Sequence, residues 1–395
     1  MGVSGGIAAY KAADLASKLV KEGADVHVGM TRHATEFVSP LTFQALTSNQ
    51  VVVDMFGPTT GVTMTHIDLA RRVDVVVIAP ATANIIGKLA NGIADDWLTT
   101  TLLATKAPIL VCPAMNTRMF ENKVVQANLN RLKEFGLHVA PTGFGDLACG
   151  EHGAGRLIEI EQIIELTHLL VADKDLAGYR ILVTAGPTRE HLDPVRYLSN
   201  PSSGKMGYAC ARVAARRGAE VILVSGPSDL AEPVGVRTLH VSTAEEMLSA
   251  CLAYFPEVDA VIKAAAVSDH GPAEISRHKV KKTGRAIDLE LTPRPDILQR
   301  LGREKKDQLL VGFAAETQHL VENARTKIEA KNLDFIVAND VAQEGAGFGT
   351  DTNIVKILSR QGQVHELPLL SKEEVAEIIF DRVLAGLKAK RGSNG

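Results

Sequence analysis

Val75-Val76-Val77-Ile78-Ala79-Pro80-Ala81-Thr82-Ala83-Asn84 is the stretch on which the fold turns. Its apolar residues lack the polar alternation of a half-exposed strand, which suits a parallel strand covered on both faces. The small residues, hydroxyl and amide that follow belong at the carboxyl edge of such a sheet, where α/β sheets bind ligands. This run begins at 73, and similar ones at 109–112, then at 260–265 and 335–338, are separated from it and from each other by helical segments. The pattern predicts an α/β protein with two doubly wound, Rossmann-like sheets, one in each half.

Each half also opens in the same way, with a glycine loop, an Ala-rich amphipathic helix, a Gly stop and a β-branched strand. In the first half these are Gly2-Val3-Ser4-Gly5-Gly6, a helix over 8–22, Gly23 and a strand over 25–29. In the second they are a strand over 181–184, a loop with Ser202-Ser203-Gly204, a helix over 206–217, Gly218 and a strand over 220–225. The first glycine loop stands so near Met1 that the strand preceding it is expected to be missing or stunted. Segments 353–359 and 364–367 flank Arg360-Gln361-Gly362-Gln363 and predict an antiparallel hairpin, followed by a helix. A polar stretch at 172–178 sets the expected domains at 1–175 and 176–395.

A chain of 395 residues, 46% apolar and 23% charged, has the balance of a soluble protein with more than one core. Its net charge of -3 argues against general nucleic-acid binding, which requires an excess of Lys and Arg along the phosphates. Apolar stretches fall short of the ~18 residues needed to span a bilayer, so neither membrane nor nucleic acid is an expected partner and a cytoplasmic location is. Cys112, Cys149, Cys210 and Cys251 are too scattered for a zinc cluster or a disulfide framework.

At the N-terminal edge, the glycine loop before a helix brings backbone amides toward a phosphate. Pro80-Ala81-Thr82-Ala83 and Pro113-Ala114-Met115-Asn116 leave room for a flat ring whose edge they can bond. These segments, with Ala148-Cys149-Gly150 and Gly153-Ala154-Gly155-Arg156, resemble the flavin-containing cysteine decarboxylase family over about residues 2–165. The resemblance implies FMN, held by Ser4, Gly5, Thr31, Pro80, Ala81, Thr82, Ala114 and Met115. It also implies that His66 acts as a base, Asn116 holds the substrate carboxylate and Cys149 protonates an enethiolate.

In the second half, hydroxyls and glycines crowd a helix start at 199–207, as a phosphate site requires. A basic run, Arg277-His278-Lys279-Val280-Lys281-Lys282-Thr283-Gly284-Arg285, follows Lys263-Ala264-Ala265-Ala266-Val267-Ser268-Asp269 and reads as a clamp over a polyphosphate. Together with segments 311–317 and 338–340, these look like the CTP-using bacterial phosphopantothenate-cysteine ligases over about residues 178–385. The resemblance implies that Lys263, Ala264, Ala265, Asp269, Lys279, Pro295, Asp296, Ile297, Leu298, Phe313, Lys327 and Lys331 contact CTP, and that Asn200 governs turnover of an acyl-cytidylate. Lys279 is also given a catalytic role. Lys327 and Lys331, four apart on a predicted helix, share one face. Mg2+ (or Mn2+) is expected on the nucleotide phosphates, with no protein ligands assigned.

The order of the halves is that of the bifunctional enzymes of coenzyme A synthesis, with 4'-phosphopantothenate and cysteine as substrates. The resemblance further implies trimeric and dimeric contacts that build a homo-oligomeric dodecamer. Two alternatives stand beside this reading: a working ligase with a flavin-poor, inactive N-terminal half, and a flavoprotein-like subunit that regulates a partner.

Overall fold

The computed structural model describes residues 1–55, 66–148, 150–282, 288–316, 320–340, 347 and 349–393. Its contacts divide the chain into two units, Met1–Ala172 and Asp173–Gly395. The division falls three residues before the expected one (172 against 175), with Lys174 and Asp175 tied into the second unit. Lys174 Nζ donates to Arg216 O at 2.6 Å, and the Asp175 carboxylate takes the Arg217 guanidinium at 2.7 Å.

The first unit runs β1 (Gly2–Val3), α1 (Ala9–Lys21), β2 (Gly29–Met30), α2 (Pro40–Thr47), α3 (His66–Arg72), β3 (Val76–Ala81), α4 (Ala83–Ala90), α5 (Trp97–Ala104), β4 (Ile109–Pro113), α6 (Thr117–Phe120), α7 (Lys123–Glu134), β5 (His138–Val139), β6 (Gly143–Asp146), β7 (His152–Arg156) and α8 (Ile160–Val171). Its sheet has the order β2-β1-β3-β4-β5, with every pairing parallel. Leu15 and Ile163, from α1 and α8, are buried in one core; Ile85, Leu98 and Leu132, from α4, α5 and α7, are buried in another. Two-sided burial is why the run at 75–81 carries no polar alternation. The first strand exists but has only two residues. The strand expected at 25–29 is correspondingly reduced to Gly29–Met30, since β1 offers it only two partners. Gly29 itself is forced by packing: a Cβ there would stand 2.1 Å from the Trp97 ring.

The second unit runs β8 (Arg180–Ala185), β9 (Arg189–His191), β10 (Tyr197–Ser199), α9 (Lys205–Arg216), β11 (Glu220–Ser225), β12 (Arg237–His240), α10 (Ala244–Tyr254), β13 (Ala260–Lys263), β14 (His270–Pro272), β15 (Leu291–Pro293), α11 (Ile297–Glu304), β16 (Leu309–Glu316), α12 (Leu320–Ala330), β17 (Phe335–Asp340), β18 (Thr352–Asn353), β19 (Val355–Ser359), β20 (Val364–Glu366), β21 (Leu370–Ser371) and α13 (Lys372–Ser393). Its eight-stranded sheet has the order β12-β11-β8-β13-β16-β17-β19-β20. The first six strands are parallel; β19 and β20 close the edge as the expected antiparallel hairpin. Tyr208 of α9 and Phe380 of α13 lie in one core, and Met247, Leu301 and Ile328 of α10, α11 and α12 in the other. Among the described residues no helix is long and apolar enough to cross a membrane.

Candidate functional sites

In the first unit the carboxyl ends of β1, β3 and β4 open into a cavity of about 560 Å³, within the roughly 300–1,000 Å³ range of small-molecule sites. Gly5, Pro80, Thr82, Ala114, Met115 and Asn116, all singled out in the sequence, line it. Ser4 does not line it. Its buried hydroxyl donates to Pro80 O at 2.7 Å and accepts from Thr82 N at 3.0 Å, so it fastens the two loops that form the cavity floor. Ala81 is likewise fully buried and acts through its carbonyl, which accepts from Ala114 N at 3.0 Å. Thr31 follows β2, where its amide donates to Val3 O, and its buried Oγ1 has no hydrogen-bond partner among the described residues.

A flap made of β6 and β7 forms the far wall, contributing Asp146, Leu147, Ala148, Gly155, Arg156 and Leu157. Met115 N donates to Gly155 O at 2.8 Å, and Thr117 Oγ1 donates to Ala154 O at 2.8 Å, pinning the flap to the segment after β4. That approach requires glycine at 155, where φ is +113° and a Cβ would lie 2.5 Å from Met115 O. Asn116 caps α6 by accepting from Arg118 N at 2.8 Å, and its amide donates to Glu151 Oε2 at 2.5 Å. Cys149 lies outside the described residues; its neighbours Ala148 and Gly150 stand in the turn between the flap strands. His66 begins α3 and is not among the cavity-lining residues.

In the second unit, a cavity of about 410 Å³ opens beside the β9–β10 hairpin and the loop into α9. Asn200 lines it together with Arg189, Tyr197, Ser199, Ser202 and Ser203. Asn200 Nδ2 donates to Ala266 O at 3.1 Å, which sets it against the carboxyl end of β13. The Arg189 guanidinium rests over the Tyr197 ring at 4.5 Å, and Ser199 Oγ donates to Thr188 O at 2.8 Å.

Of the residues expected around CTP, Lys263, Asp296 and Lys331 come together beyond the same strand. Lys263, at the end of β13, donates to Ala265 O at 2.8 Å. Asp296 caps α11 through Gln299 N at 2.9 Å and holds Lys331 Nζ at 2.7 Å. Burial first, and then the neighbouring Lys331 ammonium, lower the Lys263 pKa to about 8. Burial opposes ionisation of Asp296, yet the hydrogen bond from Lys331 keeps its carboxyl below the ordinary value. Lys331 corrects one expectation: α12 ends at Ala330, so Lys331 lies just past the helix, although its amide still bonds Lys327 O at 3.1 Å. Ile297 and Leu298 point into the core, and Ala265 is buried, its amide bonded to Thr184 Oγ1. Side-chain contact with a ligand is therefore not their part; α11 leaves Pro295 and Asp296 at its start. Phe313 packs against the opposite core. Asp269 meets the residue that follows β15 through its carbonyl, which accepts from Arg294 N, while Lys279 is exposed in the segment between β14 and β15.

Residues 1–171 match the family model described as flavoprotein, and residues 176–387 the model described as the C-terminal domain of the DNA/pantothenate metabolism flavoprotein. Over 387 residues the chain is 50% identical to the coenzyme A biosynthesis bifunctional protein CoaBC of Bacillus subtilis (strain 168), covering 97% of this chain and 95% of that protein. The chain belongs to the coenzyme A biosynthesis bifunctional protein family. The family's Escherichia coli (strain K12) member is 42% identical over 390 residues, covering 97% of this chain and 96% of its own. A crystal structure of the C-terminal domain of a CoaBC protein shares 46% identity, covering 55% of this chain and all of its own, with a TM-score of 0.48.

As a member of that family, the chain is an enzyme of coenzyme A biosynthesis with two activities, and its first unit is a flavoprotein domain. The sequence reading left several cavity residues of this family member without a role. Tyr10, Lys11 and Arg156 line the first cavity, and Arg189, Ser202 and Ser203 the second. Arg156 and the two serines sit inside the quoted motifs, and Lys11 and Arg189 inside segments 2–11 and 184–190 that carry the same two likenesses, so position in the motif was the available signal. Glu190 and Asp193, treated below, also lie within segments that carry the ligase likeness, whereas Arg294 does not. Cys112, Cys210 and Cys251 are buried and unpaired. Burial pushes all three thiols up, those of Cys210 and Cys251 to about 12.

Proposed function

We propose that the second unit joins cysteine to 4'-phosphopantothenate with CTP as the activating nucleotide, and that the first unit, with FMN, decarboxylates the phosphopantothenoylcysteine formed to 4'-phosphopantetheine. The observation that carries this reading is the half-identity to a bifunctional relative over 97% of the chain, both halves included. The first cavity suits FMN. It has a largely small-residue floor, glycines before α1, and the orphaned Thr31 hydroxyl at the end of the neighbouring strand.

FMN, when bound, supplies a two-electron acceptor for the substrate's thiol-bearing carbon and returns the electrons once carbon dioxide has left. The chain's part is placement and proton traffic. The Asn116 amide, one of whose two N–H groups is held by the Glu151 carboxylate, is assigned to the substrate carboxylate. His66 takes a proton and Cys149 gives one to the sulfur-bearing fragment. The flap, pinned through Gly155 and Ala154, keeps water from the reacting carbon.

In the ligase unit, a carboxylate oxygen of phosphopantothenate attacks the α-phosphorus of CTP, forming an acyl-cytidylate and releasing pyrophosphate. The cysteine amine then attacks the acyl carbon and CMP departs. Lys263, Lys331 and Lys279 would neutralise the phosphates, with Mg2+ arriving on the nucleotide. Asn200, held by Ala266 O, would orient the acyl group. Assembly as a homo-oligomer and a cytoplasmic site of action belong to the same proposal.

The test is a mass-resolved incubation of purified protein with 4'-phosphopantothenate, cysteine, CTP and Mg2+. The expected outcome is CMP with phosphopantetheine. Cys149→Ser should stop at phosphopantothenoylcysteine while CMP still forms. An absence of CMP removes the ligase assignment; phosphopantothenoylcysteine that accumulates in unmodified, flavin-loaded protein removes the decarboxylase one.

A further inference from the structure

The segment between β14 and β15 carries the basic run, and these two short strands pair with each other as a separate antiparallel arm. The arm is tied to the β9–β10 hairpin at two levels. At the root, Arg294 Nε donates to Glu190 Oε2 at 3.0 Å and its Nη2 to Pro272 O at 2.8 Å, with Glu190 almost fully buried. Gly271 makes room for this guanidinium, since a Cβ there would stand 2.3 Å from Arg294 Nε.

At the tip, the Asp193 side chain is fully buried. Its two oxygens divide the work. Oδ1 accepts from Val195 N at 2.8 Å and Arg196 N at 2.9 Å, which shapes the hairpin's own turn. Oδ2 accepts from Arg196 Nη2 at 2.6 Å and from Val280 N at 3.1 Å. Arg196 Nη2 also donates to Val280 O at 2.6 Å, so both polar groups of the Val280 backbone are held. Ser276 N, bonded to Leu192 O at 3.0 Å, adds a further point. Burial works against this carboxylate, but three backbone amides and a guanidinium hold it well below the usual range.

From this geometry we infer that Asp193 is a positioning residue for nucleotide activation: it latches the basic arm through Val280 to the hairpin whose other end carries Asn200. Lys279 adjoins the latched residue, so its ammonium is delivered from a fixed point rather than from a free loop. The hairpin thus couples the two clusters, with Arg189, Ser199 and Asn200 lining the acyl cavity at its base and the phosphate-directed lysine held at its tip. Ordering the arm before the nucleotide arrives removes an entropy cost from binding. The inference rests on the ligase reading for the role of Lys279; the latch itself rests only on the contacts above.

The decisive variant is Asp193→Asn. It retains Oδ1 and the turn, and replaces Oδ2 with an amide group that faces three N–H donors, Arg196 Nε and Nη2 and Val280 N. The expected KM for CTP rises roughly tenfold or more, as the loss of a charge-assisted hydrogen bond implies. Tryptic cleavage of the full-length protein after Arg277, Lys279, Lys281 or Lys282 should accelerate by a similar factor. A retained cooperative melting transition of the second unit reports an intact fold there, and decarboxylation of supplied phosphopantothenoylcysteine, measured on the same FMN-loaded protein, should not change. Asp193→Glu, which keeps a carboxylate, should recover part of the CTP affinity. Unchanged cleavage and an unchanged KM in Asp193→Asn overturn the latch. A Lys279→Gln enzyme that ligates normally removes the nucleotide role of Lys279, and the cleavage rates still decide whether Asp193 holds the arm.

Discussion

Lys263 is half-buried at the end of β13, with a pKa lowered to about 8 by burial and by Lys331. In the proposed ligase site it would offer a polyphosphate a cation below about pH 8 and lose that charge as pH rises further. The KM for CTP should therefore climb between about pH 8 and 9.5, and Lys263→Met should remove that inflection along with most of the ligation. Stability follows the opposite course. The unfolded chain keeps the ordinary lysine value of 10.5, so between 8 and 10.5 it binds more protons than the folded one, and folding gains stability as pH rises through that window. Lys263→Met should accordingly melt higher at pH 7, by roughly 2–4 °C for each kcal/mol of relieved charge burial. A lower melting temperature would mean that the ammonium's bond to Ala265 O outweighs its desolvation. The sequence named Lys263 and Asp296 through motif likeness. It could not say that Asp296 already holds Lys331, because that pairing joins the cap of one helix to the end of another.

At the scale of elements, the flap depends on one backbone approach. Gly155→Ala places a Cβ against Met115 O at a φ of +113°, a strain of order 1–3 kcal/mol that the flap can shed by lifting away. Decarboxylation should fall at least tenfold while CTP-dependent ligation is retained, measured on one preparation through its two products. Equal loss of both would instead mean general misfolding. The long parallel strands and the C-terminal hairpin were legible because two-sided burial and a glycine turn leave patterns in composition. The short elements were not. β1 and β2 have two residues each, and β14 and β15 three; such strands exist because a neighbour pairs with them, and no periodicity can develop over that length. The latch escaped for a related reason, since Asp193 and Val280 meet only when two of these short hairpins pack together.

For the molecule as a whole, each unit has its own pair of cores on the two faces of its sheet. Ligands should thus stabilise the units separately. Calorimetry of flavin-free protein should resolve two transitions, FMN raising one and CTP with Mg2+ the other, each by about 2.7 kcal/mol at a hundredfold excess over Kd. A single transition raised equally by both ligands would show that the units unfold as one body. The buried thiols lend the same molecule a practical property. With Cys112, Cys210 and Cys251 enclosed and far from ionising at neutral pH, a maleimide dye applied to the native enzyme has one remaining target per chain. The stoichiometry of labelling then counts Cys149 alone, and because its neighbour Ala148 lines the first cavity, FMN should slow that labelling if the cavity holds the cofactor as proposed.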